Sequence, residues 1–264
     1  MYDFEYHKPA SLDAAAKLLA ATGNSKLLAG GMSLIPSLKM RLNRYAALVD
    51  LGALQDIKGI RRDGSFLVIG AMTPHAMVAD NAEVKKIIPA IASLAEGIGD
   101  PLVRNRGTMG GSMANADPAA DYPAAVVGLG ATVVTHQRHI AGDDFFTGVF
   151  ETALQAGEII REVRYPIPEK AAYAKYRQPA SRFAIVGVFV SKTGNDVRVA
   201  VTGAAPSVFR FAEAEAALAR RFDPAALDGI TIKPDALNSD IHASAEYRAH
   251  CVVEMTRRAV LAAQ

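Results

Sequence analysis

The order of hydrophobic and polar positions divides the first 52 residues into short strands and a helix. Apolar residues recur at helical spacing over 12–19, after a capping Ser11 and before Gly23, which predicts a helix there. Two short apolar runs, at 26–29 and 47–51, predict strands. This succession of strand, loop and strand indicates a small α/β subdomain.

The next stretch, to about residue 165, mixes hairpin, helix and strand patterns. Asp63-Gly64 is typical of a hairpin turn, and Thr73-Pro74 is typical of a helix start. Periodicity then disappears in a glycine-rich and basic run at 97–112. The predicted strands are 66–69, 131–135 and 159–165, and the predicted helices are 81–95, interrupted by Pro89, and 119–129.

The proline-containing run 165–170 is the best candidate for a domain boundary. Beyond it the pattern predicts a hairpin around Gly194-Asn195-Asp196, followed by two helices. The predicted strands are 184–191 and 197–202, and the predicted helices are 212–220 and 244–263. Because strands and helices do not alternate strictly, the chain favours the α+β class over a doubly wound parallel sheet.

Composition and charge remove several classes of protein. The chain has 29 Lys+Arg against 27 Asp+Glu, and a net charge of +2 gives no electrostatic footprint for nucleic acid. The single cysteine, Cys251, can form no internal disulfide and cannot hold an iron–sulfur cluster, so we interpret it as a buried helix residue. No secretory signal and no stretch long enough to span a membrane is found. These features predict a cytoplasmic protein.

Two segments, 27–34 and 104–112, place paired glycines beside hydroxyl residues. Glycine lets successive backbone N–H groups converge on an anion without interference from a Cβ, and a hydroxyl adds a neutral donor. Two such loops on one protein could hold both phosphates of a dinucleotide. Taken singly, each glycine pair is better explained as a simple turn.

Common catalytic motifs are missing. The run 97–102 begins like the dinucleotide fingerprint, but Leu102 replaces the third glycine and Pro101 opposes the helix that should start there. The sequence has no P-loop, no HExxH and no GxSxG, and its six histidines form no metal pattern. Asp117 and Asp121 could share one helical face as an acid/base pair, or could make capping and loop hydrogen bonds. We therefore assign no catalytic residue and no metal site, and expect the chemistry to reside in a cofactor.

The two glycine segments are similar to the motifs of a known family. Residues 29–36, Ala-Gly-Gly-Met-Ser-Leu-Ile-Pro, resemble the first motif of the FAD-binding medium subunit of molybdenum hydroxylases, of the carbon monoxide dehydrogenase and xanthine dehydrogenase type. Residues 104–112 with 116–121 resemble the second motif. Further matches at 3–11 and 244–248 extend the resemblance over nearly the whole chain.

The resemblance implies a fold and a complex. The fold is a two-subdomain FAD-binding domain of the vanillyl-alcohol-oxidase type over 1–168, with subdomains of about 1–52 and 53–168. A C-terminal domain of antiparallel sheet and helices would follow at 169–264. The family implies a large molybdopterin subunit and a small subunit with 2Fe-2S clusters as partners, in a dimer of heterotrimers. This chain's FAD would take electrons from the clusters and pass them to an external acceptor.

The resemblance also implies which residues contact FAD. Backbone N–H groups of 29–33 would hold the pyrophosphate, and Thr108 would stand beside the flavin. Asp121 would accept hydrogen bonds from the adenosine ribose or from nearby polar groups, and Lys175 would approach the isoalloxazine. The full set is Lys26, Leu27, Leu28, Ala29, Gly30, Gly31, Met32, Ser33, Leu34, Ile98, Thr108, Gly110, Gly111, Ser112, Asn115, Asp121, Ile160 and Lys175. Met32 stands where relatives commonly have a polar residue. No histidine is placed for covalent attachment, so the FAD is expected to be non-covalent.

Two other functions compete with this interpretation. A stand-alone FAD-dependent reductase or oxidase of the same fold would need its own substrate pocket with an acid/base pair. An assembly scaffold would bind no flavin. The sequence identifies neither the substrate nor the acceptor, which could be NAD, a quinone, oxygen or another carrier.

Overall fold

A small parallel sheet forms the first part of the α+β fold. The structure is a computed structural model that describes residues 1–263. The elements here are β1 (Glu5–His7), α1 (Leu12–Ala21), β2 (Ser25–Leu28), α2 (Leu34–Lys39) and β3 (Ala47–Asp50). Strand β3 lies between β1 and β2 and pairs parallel with both. The Ser11 hydroxyl accepts a hydrogen bond from the Ala14 N–H and caps α1, so the predicted helix start is confirmed.

A five-stranded antiparallel sheet with short helices follows. Its strands are β4 (Ile60–Asp63), β5 (Phe66–Gly70), β6 (Thr132–Thr135), β7 (His139–Ala141) and β10 (Ile160–Pro166), in the order β4-β5-β10-β6-β7. Strands β8 (Phe146–Gly148) and β9 (Glu151–Thr152) form a separate small hairpin. The helices are α3 (His75–Asp80), α4 (Ala82–Ile87), α5 (Pro89–Glu96), α6 (Pro101–Arg106), α7 (Met109–Asn115), α8 (Tyr122–Gly128) and α9 (Gly142–Phe145). The largest hydrophobic core lies between these helices and the sheet.

The C-terminal part is a four-stranded antiparallel sheet covered by helices. Its elements are β11 (Lys170–Arg177), β12 (Ala184–Thr193), β13 (Asp196–Thr202), β14 (Phe209–Arg210), α10 (Ala212–Arg220) and α11 (Ala245–Ala262). Short 3-10 turns lie at Gln55–Ile57, Pro224–Leu227 and Pro234–Ala236. Strand β12 is buried over its first eight residues, because α11 covers one face and the preceding part of the chain covers the other. Cys251 is buried in α11, which confirms its predicted place.

Hydrogen bonds connect the C-terminal sheet to the segment before α8. The Thr202 hydroxyl donates to the Ala120 carbonyl (2.6 Å), and the Gly203 N–H donates to the Pro118 carbonyl (2.8 Å). The Ser191 hydroxyl donates to the Gly128 carbonyl at the other end of α8 (2.6 Å). These bonds fix the position of residues 117–121, which border the cleft described below.

The longer predicted elements are confirmed, but the glycine-rich region 97–112 contains helices that its lack of periodicity did not indicate. Residues 97–112, where periodicity disappears, contain α6 and most of α7. Pro101 does not oppose a helix but starts α6, because the missing N–H of proline is not needed in the first helical turn. Asp117 and Asp121 do not share a helical face, because residues 116–121 lie outside any helix. Within residues 1–263, no helix is long and apolar enough to cross a membrane.

Candidate functional site

A cleft of about 870 Å³ lies between the end of the parallel sheet and the glycine-rich region 97–112. Its volume falls in the upper part of the range typical of small-molecule pockets, about 300–1,000 Å³. Residues 29–34 after β2 form one wall, and residues 107–112 around the start of α7 form the other. The two glycine segments singled out in the sequence therefore face one cavity.

The first glycine segment makes a tight turn from β2 into α2. Gly31 has a φ of +73°, a left-handed conformation that glycine adopts readily. A Cβ added at Gly30 would lie 2.8 Å from the carbonyl carbon of Arg106 and 2.8 Å from the Cα of Gly107. Only a residue without a side chain permits this approach. The two segments therefore meet backbone to backbone at Gly30.

The second glycine segment lies directly against the end of β5. Thr108 precedes α7, and its Oγ1 accepts a hydrogen bond from the Gly111 N–H (3.2 Å). The Gly110 N–H donates to the Ala71 carbonyl (2.8 Å), and a Cβ at Gly110 would lie 2.5 Å from the Cβ of Ala71. A Cβ at Gly111 would lie 3.4 Å from the Cβ of Ala29 in the first glycine segment. The glycines thus keep this wall close to both the sheet and the first loop.

The structure brings most of the predicted site residues together. Met32 is 39% exposed, and the Ser33 hydroxyl, which caps no N–H of α2, is left available to a ligand. The predicted residues that line the cleft are Lys26, Leu27, Ala29, Gly30, Gly31, Met32, Ser33, Leu34, Ile98, Thr108, Gly110, Gly111, Ser112, Asn115, Asp121 and Ile160. Leu28 and Lys175 are outside the lining. The Leu28 carbonyl accepts from the Leu51 N–H (2.9 Å), as part of the parallel sheet.

Asp121 is a buried carboxylate at the cleft wall. The Tyr173 hydroxyl donates to Oδ1, and the Lys175 ammonium lies 2.9 Å from the carboxylate. Burial raises the pKa of Asp121, against the opposing effects of Lys175 and Tyr173. The side chain makes no capping bond to α8, so the capping alternative is wrong. Asp121 instead joins the cleft to strand β11 of the C-terminal sheet.

Lys175 acts behind the cleft wall. Its Nζ donates to the Gly97 carbonyl (3.1 Å) as well as to Asp121. Arg104 donates to the next two carbonyls, of Ile98 (3.0 Å) and Gly99 (3.2 Å). Lys175 and Arg104 therefore bind three consecutive carbonyls, those of residues 97–99. Arg182 adds a second donor to the Gly99 carbonyl (3.1 Å). These bonds fix the loop that presents Ile98 to the cleft.

Asp117 also lines the cleft, close in sequence to Asp121 but with different partners. Its Oδ1 accepts from the Ala119 N–H (2.9 Å), so the loop hydrogen-bond alternative is the correct one. Burial raises the pKa of Asp117, and the Ala119 N–H partly opposes this effect. In the part of the chain that the structure describes, no group of three or more His, Cys, Asp or Glu side chains could hold a metal ion.

Several further residues line the cleft although no sequence pattern indicates them. His75 is one of these residues; it is buried, and its Nδ1 has no hydrogen-bond partner among residues 1–263. The sequence Thr73-Pro74 predicts the start of the helix that contains His75. An isolated β-bridge between Pro74 and Thr108 brings this helix start beside the second glycine segment, and the sequence does not indicate that contact. The other unpredicted lining residues include Asn43, Tyr45, Phe150, Gln155, Ser181, Arg182 and Phe183.

Comparisons with known proteins agree with this geometry. The family described as "FAD binding domain in molybdopterin dehydrogenase" matches residues 2–168, and "CO dehydrogenase flavoprotein C-terminal domain" matches residues 171–263. The chain is 34% identical to the nicotine 6-hydroxylase medium subunit of Paenarthrobacter nicotinovorans, over 98% of this chain and 96% of that one. It is also 34% identical to the carbon monoxide dehydrogenase medium chain of Hydrogenophaga pseudoflava, with the same coverage.

A solved structure gives the same result in three dimensions. Reconstituted CO dehydrogenase from Oligotropha carboxidovorans superposes with a TM-score of 0.90 and 34% identity, over 99% of this chain and 98% of that chain. The likeness spans both sequence families and leaves no large part of either chain unmatched. The chain therefore belongs to the family of FAD-binding medium subunits of molybdenum-containing dehydrogenases and hydroxylases.

Proposed function

We propose that this chain binds one FAD without a covalent bond in the cleft between the two glycine segments. The observation that carries the proposal is the backbone contact of these segments at Gly30, which leaves backbone and no side chain at that point of the cleft wall. Backbone N–H groups exposed in this way are suited to an anionic pyrophosphate. The residues present therefore fit a dinucleotide cofactor.

The resemblance of the two motifs to the family suggests a role for each residue, and the position of these residues in the cleft supports those roles. Backbone groups of 29–33, with the Ser33 hydroxyl, would hold the pyrophosphate, and Lys26 would offset its charge. Thr108 and 110–112 would form the wall beside the flavin and ribityl chain. Ile98 and Ile160 would supply apolar contact to the rings, and Asn115 a polar one.

Two predicted roles take a modified form. Lys175 would act on the cofactor through the Gly97 carbonyl and Asp121, which it binds directly. Both oxygens of Asp121 already have donors. A contact of Asp121 with the adenosine ribose would therefore use the remaining lone pairs of its carboxylate.

A test of the cradle uses one matched pair of variants. Gly111→Asp places a side chain and a negative charge in the cleft, so it should weaken FAD binding at least ~100-fold through steric and charge repulsion. Gly23→Asp is the control, because a Cβ at Gly23 meets no heavy atom within 4 Å, its φ is not left-handed, and the residue lies outside the cleft. Flavin content and FAD affinity are measured on both folded variants. Normal binding by Gly111→Asp would show that the cradle is assigned wrongly.

We further propose that FAD passes electrons from a partner to an external acceptor, since bound FAD supplies the redox chemistry of such a subunit. One cysteine cannot hold a 2Fe-2S cluster, so the clusters would lie on a small partner subunit and the molybdopterin on a large one. The named relatives act on compounds as different as nicotine and carbon monoxide, which agrees with substrate choice by the large subunit. The acceptor could be NAD, a quinone, oxygen or another carrier.

The assembly is tested by purifying the tagged chain from its native cell. We expect two further chains, with molybdenum and iron in the sample, and a particle mass equal to a dimer of heterotrimers in the cytoplasmic fraction. A tagged chain that purifies alone, and whose flavin is reduced directly by a substrate, would support the stand-alone flavoenzyme instead.

A further inference from the structure

His75 lies at the point where the two glycine segments meet. It is the first residue of α3, its side chain lines the cleft, and it is only 4% exposed. Its backbone N–H donates to the Gly107 carbonyl (3.0 Å), and its ring packs on Tyr122 at 5.4 Å between centroids. The ring is therefore held in one place by both neighbours.

Gly107 has no side chain because the imidazole occupies that space. A Cβ at Gly107 would lie 2.7 Å from Nε2 of His75 and 2.8 Å from Cδ2. A Cβ at Gly30 would lie 2.8 Å from the Cα of the same Gly107. The Nε2 edge of the ring is thus directed to the junction of the two segments.

Hydrogen bonding identifies which nitrogen carries the proton. Nδ1 is buried, and no group of residues 1–263 bonds to it. A buried N–H without an acceptor is rarer in proteins than a buried acceptor without a donor, so the neutral ring should carry its hydrogen on Nε2. Burial, together with the nearby Arg104 charge, lowers the pKa of His75 to about 4, so the ring is neutral near pH 7.

A neutral donor at this place has no described partner. The other polar groups near it are already engaged: Arg104 binds the Ile98 and Gly99 carbonyls, and Thr108 Oγ1 accepts from Gly111. The Nε2–H is therefore a donor at the wall of the cleft that has no acceptor among residues 1–263.

We propose that His75 is a FAD-binding residue, which donates a hydrogen bond from Nε2 to an oxygen of the cofactor. The proposal rests on the proposed function, because it needs FAD in this cleft. It goes beyond the two glycine segments, since it adds a side-chain donor from a third part of the chain.

Two substitutions separate this role from packing. The amide nitrogen of His75→Gln reaches the place of Nε2, whereas that of His75→Asn reaches only the place of Nδ1. Fluorescence titration of the flavin-free chain with FAD should give a dissociation constant within about 3-fold of the original for Gln and at least ~10-fold weaker for Asn. His139→Asn, an exposed histidine of β7, serves as the control with unchanged affinity.

Failure of the inference can be distinguished from failure of the proposed function. If the unchanged chain binds no FAD, the proposed function is wrong. If it binds FAD and folded Gln and Asn variants bind equally well, His75 makes no such bond.

Nitrogen-15 NMR of the unchanged chain gives a second, independent measurement that needs no variant. We expect the Nε2–H form of His75 before FAD is added, and a shift of its Nε2–H signal on titration with FAD. A ring protonated at Nδ1, or an imidazole signal that does not move while FAD binds, would overturn the inference.

Discussion

Two buried tyrosine hydroxyl groups differ in whether they have a hydrogen-bond partner, and therefore in how much they stabilise the fold. The Tyr173 hydroxyl donates to Asp121 and so partners a buried carboxylate. The Tyr165 hydroxyl is also buried, but it has no partner among residues 1–263. A buried hydroxyl stabilises the fold only where it is bonded, so the same substitution should have different effects at the two tyrosines.

Replacing each tyrosine with phenylalanine tests this difference. Tyr173→Phe should lower the free energy of unfolding by about 1–3 kcal/mol, because the buried Asp121 loses a donor. Tyr165→Phe should leave it unchanged or raise it by up to about 1 kcal/mol. Urea unfolding of both variants measures the two values. Equal losses at both positions would contradict the hydrogen-bond assignment.

His75 should make stability depend on pH. Its pKa is lowered from 6.5 to about 4 in the folded chain, so the unfolded state binds more protons between these values. The free energy of unfolding should therefore fall by about 3 kcal/mol through this group as the pH decreases from 6.5 to 4. The free energy of unfolding should fall less with decreasing pH in His75→Gln. Urea unfolding between pH 6.5 and 4 compares this variant with the original chain. Parallel pH profiles would show that His75 is not a buried neutral group.

At the scale of elements, short helices and loops build the cleft, and their contacts set its width. The loop 97–99 is bound by Lys175, Arg104 and Arg182, and the two glycine segments touch at Gly30. These elements have few residues and little helical propensity of their own. Their positions depend on contacts with distant parts of the chain.

Gly30→Ala should separate the two segments. The added Cβ would overlap the Arg106 carbonyl, so the loop must shift. We expect a loss of about 1–3 kcal/mol in stability and at least ~10-fold weaker FAD binding. Gly23→Ala is the control, because a Cβ there meets no heavy atom within 4 Å. Thermal unfolding and FAD titration measure both effects, and a Gly30→Ala protein identical to the original would contradict the contact.

Thr202 connects the C-terminal sheet to the segment 117–121 beside the cleft. Its hydroxyl donates to the Ala120 carbonyl (2.6 Å), next to Asp121. Thr202→Val keeps the shape but leaves that buried carbonyl without this donor, so we expect about 1–3 kcal/mol lower stability. Thr202→Ser restores the hydroxyl and should recover most of the loss. If the Val and Ser variants unfold at the same urea concentration, this hydrogen bond does not stabilise the contact between the C-terminal sheet and segment 117–121.

For the whole molecule, the sequence predicted what depends on local pattern. Helices 212–220 and 244–263 and the hairpin around Gly194 were found because their periodicity and turn residues are local. The motifs at 29–36 and 104–112 were sufficient to indicate the family. The α+β class followed from the order of these elements.

Long-range contacts account for what the sequence did not predict. Helices α6 and α7 were missed because six or seven residues give too little periodicity to detect. His75 was missed because no sequence pattern connects it to Gly107, which it meets only after β5 and α7 come together. Lys175 was placed at the cofactor by resemblance, whereas its direct partners are Gly97 and Asp121.

The central claim is that FAD binds non-covalently in the cleft, and an absorption spectrum of the purified chain tests it most directly. The spectrum is recorded after FAD is added and the excess removed, and the protein is then precipitated with acid. We predict flavin bands equivalent to one FAD per chain, and flavin released to the supernatant. A well-folded chain that stays colourless, or a flavin that precipitates with the protein, would contradict the claim.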